Sequence, residues 1–192
     1  MNLKRYTEKA QEAALAAQQL ADRSGHPEID PEHLLRALGD QQDGVVPRVL
    51  RQLGADPARL LVDIDAELGR RSQARGGSEP SPSPRLRAVD SVADAEAKRL
   101  KDEFVSTEHL LLAMTLEGEV APSGRLLAAI GATTERVFEA LSAIRGSQRV
   151  TDQHPEGKYE ALKRYGRDLT AMAAQDGLDP VVGRDEEIRR VV

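Results

Sequence analysis

The sequence predicts an all-α fold: a duplicated four-helix repeat packed as a pseudo-two-fold, eight-helix domain. Three observations carry that expectation. Hydrophobic residues make up 40% of the 192 residues but aromatics only 3%, so the core is Ala, Leu, Val and Ile, which suits close-packed helices better than a β-sandwich. Apolar positions recur with the helical period and not the strand period of two. Glu32-His33-Leu34-Leu35 returns as Glu108-His109-Leu110-Leu111, 76 positions later, as an internal repeat requires.

The elements follow in order. Thr7 caps a first helix with the stripe Ala10, Ala13, Ala14, Ala17, Leu20 and Ala21, and Gly25 and Pro27 end it. Asp30-Pro31 starts the second: the aspartate accepts from free amides, and proline sits where its missing N–H does no harm. Val45, Val46, Val49, Leu50 and Leu53 mark a third helix, stopped at Gly54. Asp56-Pro57 repeats the cap-plus-proline start and leads into Leu60, Leu61, Ile64 and Leu68. At a shift of 76, Thr7 falls on Ser83, and Ala10, Ala13, Ala17 and Ala21 fall on Leu86, Val89, Ala93 and Ala97. With one residue inserted, Val49-Leu50 falls on Leu126-Leu127, Leu53-Gly54-Ala55 on Ile130-Gly131-Ala132, and Leu60-Leu61 on Val137-Phe138.

Two polar, Gly/Pro-broken stretches read as mobile linkers, because they bury too little to offset their ordering entropy. One is Arg70 to Pro84 and the other Arg145 to Lys158. The expected organisation is a domain over 1–145, with repeats 1–69 and 83–145 around an inner linker 70–84. A second linker follows at 146–158, then a segment 159–192. That segment carries a helical stripe of Leu162, Tyr165, Leu169 and Met172, a turn at Asp179 to Arg184, and a charged helix cut off at Val192. The interrupted helix reads as truncation.

Composition narrows the function. With no cysteine, disulfides, thiolate catalysis and Cys-based zinc sites are excluded. A net charge of -5 argues against nucleic-acid binding. No apolar run spans a bilayer and no export signal opens the chain, so a soluble cytoplasmic protein without membrane contact is expected. No phosphate loop of the form GxxxxGK[ST] occurs, so this stretch is expected neither to bind nor to hydrolyse ATP, and to hold no cofactor or metal. His33 and His109 fit closure of helix starts better than metal binding. Glu32 and Glu108 fit either first-turn carboxylates favoured by the helix dipole or ligand contacts. Arg70, Arg71, Arg75, Arg85 and Arg87 read as a solvated linker in preference to a basic stripe. No catalytic set emerges, which leaves an interaction domain whose seam can form an apolar groove.

The opening MNLKRYTEKAQEAALAAQQLA, the two EHLL units and the closing YEALKRYGRDLTAMAAQDGLDPVVGRDEEIRRVV resemble the bacterial Clp/Hsp100 AAA+ chaperones. The repeats resemble their N-terminal Clp repeat domain. Residues 159–192 resemble the entry into the first AAA+ module. The disaggregase branch is nearest; the runner-up docks adaptors or phosphoarginine-marked substrates for a protease.

The resemblance implies a non-enzymatic receptor for unfolded or aggregated polypeptide, within a parent homohexameric ATPase that uses ATP and Mg²⁺ and cooperates with a DnaK-type chaperone system. It places Val181, Val182, Gly183 and Arg184 beside the adenine, and residues matching Thr7, Asp102 and Glu108 near a substrate-contacting surface. The expected contact set is Leu3, Tyr6 and Thr7 on one side and Asp102 and Glu108 on the other. In the runner-up reading Glu32 and Glu108 receive guanidinium groups.

Overall fold

A computed structural model describes residues 3–73, 79–146, 148–155 and 190. Two compact units divide the chain, Met1–Tyr159 and Glu160–Val192. The helix and turn expected over 159–192, with Val181, Val182, Gly183 and Arg184, lie outside the described residues.

Among the described residues the first unit holds eight α-helices, after a single 3-10 turn at Leu3–Arg5. Repeat 1 contains α1 (Glu8–Arg23), α2 (Pro31–Asp40), α3 (Val45–Gln52) and α4 (Pro57–Leu68). Repeat 2 contains α5 (Pro84–Arg99), α6 (Thr107–Thr115), α7 (Pro122–Ala129) and α8 (Thr134–Arg145). The all-α, eight-helix expectation therefore holds. The caps act as their residue types predict. Thr7 Oγ1 accepts from Ala10 N at 3.3 Å and Ser83 Oγ from Leu86 N at 3.1 Å, while Asp56 Oδ1 accepts from Ala58 N at 2.9 Å.

The stripes bury as spaced. Ala10, Ala13, Ala17 and Ala21 of α1 match Leu86, Val89, Ala93 and Ala97 of α5, all inside one core with Leu34, Leu35, Leu38, Leu110, Leu111 and Leu112. Small residues let α1 lie close on α2, and α5 on α6. The core is continuous across the repeats, so neither half closes without the other.

Two short parallel pairings, absent from a purely helical reading, sew the repeats together. Strand β1 (Glu28–Ile29) pairs with β2 (Ser81–Pro82), with Ile29 opposite Pro82. Across the pseudo-two-fold, Tyr6 pairs with Val105. The hydrogen bonds match: Ser83 N donates to Ile29 O at 3.0 Å, and Thr7 N to Val105 O at 2.9 Å. Each repeat's leading segment thus crosses to the other repeat.

Described parts of both expected linkers are docked on the domain. In 70–84, β2 belongs to a pairing and Arg71 is engaged in ion pairs. In 146–158, Val150 is fully buried, Glu103 N donates to Val150 O at 2.9 Å, and Glu8 N donates to Gln153 O at 2.9 Å. Polarity of composition missed these docked backbones, whose partners are main-chain groups far away in sequence.

Candidate functional site

The two helix starts that carry Glu-His are buried electrostatic centres. In repeat 1, His33 Nδ1 accepts from Asp30 N at 2.9 Å, half of a capping box. That leaves His33 Nε2 to carry the proton and donate to His26 Nδ1, 2.8 Å away. Burial, then the His26 ring, lowers the pKa of His33 to about 4. Burial, then the Arg71 charge, lowers that of His26.

In repeat 2, His109 Nδ1 accepts from Ser106 N at 3.0 Å, and the Nε2 partner at 3.0 Å is the Asp102 carboxylate. Burial pushes the Asp102 carboxyl up, but hydrogen bonds from His109, Val150 N and Arg145 outweigh it and hold the group below its ordinary value.

Both glutamates are 0% exposed and engaged by arginines. Glu32 receives Arg85 Nη2 at 2.8 Å, Arg71 Nη2 at 2.5 Å and Ser123 N at 2.9 Å. Arg85 also pairs with Glu117 at 3.1 Å, so of the two arginines expected in a solvated linker, Arg85 ties repeat 2 to repeat 1 and Arg71 docks on the start of repeat 1. Glu108 lies 3.6 Å from Arg145 Nη1, while Arg145 Nη2 reaches Asp102 at 2.8 Å.

These facts revise the expected contact set. Tyr6, Thr7, Glu32, Asp102 and Glu108 are all buried, with Leu3 alone among the six exposed, at 47%. Tyr6 OH donates to Asp90, and burial, then that carboxylate, raises its pKa. Thr7 is the α1 cap. In this structure these five pack and cap, and side chains with so little accessible surface offer a client little to touch.

Leu3 does stand at an accessible apolar surface, most of whose lining no sequence pattern marks. A cavity of about 300 Å³ opens there, lined by Leu3, Ala14, Leu15, Ala17, Gln18, Ile29, Leu34, Pro80, Pro82 and Leu86. Leu3 and Leu15 stand at 47% and 56% exposure, although both are large and apolar. Leu15 was the available signal: it sits on α1 outside the alanine stripe. Gln18 is the sole polar side chain of the lining.

The fold defines a class: a duplicated, all-α helical-repeat domain with an apolar groove beside its seam. Residues 5–129 match the Clp repeat (R) N-terminal domain family, and the chain belongs to it. It is 46% identical over 187 residues to "Chaperone protein ClpB" of Bdellovibrio bacteriovorus, across 97% of this chain and 22% of that protein. The ClpB of Nitratidesulfovibrio vulgaris is 44% identical over 196 residues, with 100% of this chain and 23% of that one covered. The chain thus spans about a fifth of the length of the curated relatives it matches.

Among solved structures, the N-terminal domain of Hsp104 from Candida albicans aligns with a TM-score of 0.69 at 20% identity, over 79% of this chain and 98% of that one. The N-terminal domain of the ClpV1 ATPase from E. coli aligns at 0.66 and 21%, over 79% and 90%. At these identities the structures speak for the fold. Among the described residues no helix is long and apolar enough to cross a membrane.

Proposed function

We propose that this domain is the client receptor of a ClpB-type, ATP-dependent disaggregase, and that it captures unfolded or aggregated polypeptide in the groove beside α1. The observation that carries the proposal is the exposed apolar pair Leu3 and Leu15 at the rim of a cavity lined almost wholly by apolar residues. A groove of that chemistry takes an extended apolar segment of a client, with the flexible chain's ordering entropy cancelling much of the gain. Dissociation constants on the order of micromolar or weaker follow. Weak capture suits a receptor that releases its client to a motor.

In this reading the parent protein is a cytoplasmic homohexamer that uses ATP and Mg²⁺ and works with a DnaK-type partner. Its first AAA+ module begins near 159, and this stretch has no catalytic role of its own. The competing docking of guanidinium-bearing ligands is less well supported, because Glu32 and Glu108 already hold the chain's own arginines.

The test is a titration of the chain with an unfolded model protein, followed by fluorescence anisotropy. Leu15→Asp lies on an exposed position, so it should keep the melting temperature while weakening binding by about tenfold or more. Glu139→Ala, away from the groove lining, should leave binding alone. Binding by Leu15→Asp equal to that of the unmodified chain would remove the groove from the account.

A further inference from the structure

We propose that residues 148–155 form a releasable strap, docked on the start of repeat 2 and the start of α1, which sets where the chain leaves the domain. Three independent contacts hold it. Val150 is buried while its N–H donates to Asp102 Oδ1 at 2.8 Å and its carbonyl accepts from Glu103 N at 2.9 Å. Arg149 Nε donates to Lys101 O at 2.8 Å. Further along, Gln153 O accepts from Glu8 N at 2.9 Å, and His154 meets Glu8 at 2.7 Å.

The pseudo-two-fold says what this segment is. After repeat 1 the chain docks back onto its own repeat start: Arg71 on Asp30 and Glu32, Ser81 N on Pro27 O at 3.2 Å. At the end of repeat 2 and just beyond it the same thing happens, with Arg145 on Asp102 and Glu108 and Val150 on Asp102 and Glu103. The inner segment is locked at both ends, since α5 follows it. Among the described residues the outer one is held at its start by α8 and beyond that by its own contacts.

Val150 is buried but lies outside the main core cluster, as a segment that opens on its own requires. Docked, the strap keeps eight residues on the domain surface; freed, those eight can span roughly 28 Å at about 3.5 Å per residue. This goes beyond the client reading and does not rest on it.

The test is hydrogen exchange on the whole chain. Val150→Asp places a carboxylate beside Asp102 and should undock the strap. The amides of Glu8 and Glu103, which donate into it, should then exchange about tenfold faster or more, while Ala13, Leu34 and Leu111 keep their protection. Arg149→Ala removes one grip without burying a charge and should show the same pattern at about threefold. Unchanged exchange at Glu8 and Glu103 in both variants would overturn the strap. So would an equal rise at Ala13, Leu34 and Leu111, because the segment would then be part of the cooperative core.

Discussion

The two halves of the pseudo-two-fold carry the same scaffold but opposite fillings. At the Val105 pairing stands Tyr6, whose ring is buried and whose hydroxyl bonds to Asp90. At the matching Ile29 pairing stands Pro82. The wall positions differ as well: Asp90, Ser91 and Asp94 on α5 correspond to Ala14, Leu15 and Gln18 on α1. Asp94 is tied to Arg5. One half is closed by an aromatic plug and an ion pair; the other, with a smaller ring and no plug, is the apolar cavity. Duplication supplied two equivalent seams, and side-chain volume with polarity decided which became a groove. The helix starts diverged alike: His26 faces His33 where Asp102 faces His109.

The largest expected effect breaks the buried centres unequally. Arg145 is 9% exposed and serves Asp102 and Glu108 together, so Arg145→Ala strips two buried carboxylates of one cation. That should cost about 3 kcal/mol or more. Arg85→Ala leaves Glu32 with Arg71 and the Ser123 amide, and should cost about 2 kcal/mol. Urea denaturation of both variants measures the order; a reversed order would mean that the second arginine does not compensate.

Acid should separate the halves next. His33 has a folded pKa of about 4, below the roughly 6.5 of an unfolded histidine. A lowered value means stability present in full above pH ~6.5 and lost as pH falls toward ~4, by about 2 kcal/mol after allowance for relaxation. The groups facing this pair are Arg71 and the Asp30 amide. Asp102, also lowered but from a carboxylate's range, loses its contribution only at more acidic pH. His26→Asp gives repeat 1 the pairing of repeat 2 and should flatten the loss between pH 6.5 and 4. A stability–pH curve unchanged by this substitution would detach the loss from the histidine pair.

These contrasts show where sequence reading reaches and where it stops. The 76-residue register, the caps at Thr7, Ser83 and Asp56, and the alanine stripe of α1 are local patterns, and all are legible. The register also aligns Pro82 with Tyr6, so the open half could have been read from it. The partners of Glu32 and Glu108 could not, because Arg71, Arg85 and Arg145 lie 39, 53 and 37 residues away in sequence, and no periodicity connects them. Lone Val150 in a polar run was the one sign that the outgoing segment docks.

Filling the open half tests the groove directly. Pro82→Tyr puts the plug of one half into the other, against Ala14 and Leu15 in place of Asp90 and Ser91. The ring should occupy the cavity and weaken binding of an unfolded model protein by about tenfold, or about 1.4 kcal/mol, with little loss of stability because the backbone already makes the pairing. Undiminished binding, with the ring shown in the cavity by nuclear Overhauser contacts to Leu15, would place the client elsewhere.

The smallest expected effect concerns the turns that precede the two helix starts. Gly25 has φ of 67° and its counterpart Lys101 has φ of 59°. The left-handed region costs a residue with a Cβ about 1 kcal/mol, whereas glycine adopts it freely and loses chain entropy instead. The turns are otherwise alike: His26 N donates to Ala21 O at 2.9 Å, and Asp102 N to Ala97 O at 2.8 Å. Lys101→Gly should therefore stabilise by about 0.5 kcal/mol, the relief of strain less the entropy that glycine adds to the unfolded chain. Gly25→Ala runs the same balance in reverse and should destabilise by about 0.5 kcal/mol. Thermal unfolding should move by roughly 1–2 °C upward for the first and downward by about as much for the second. The Lys101 carbonyl that Arg149 grips is main chain, so the glycine variant keeps the strap docked. A gain absent in Lys101→Gly, with Glu103 exchange unchanged, would mean that the lysine side chain compensates its strained backbone.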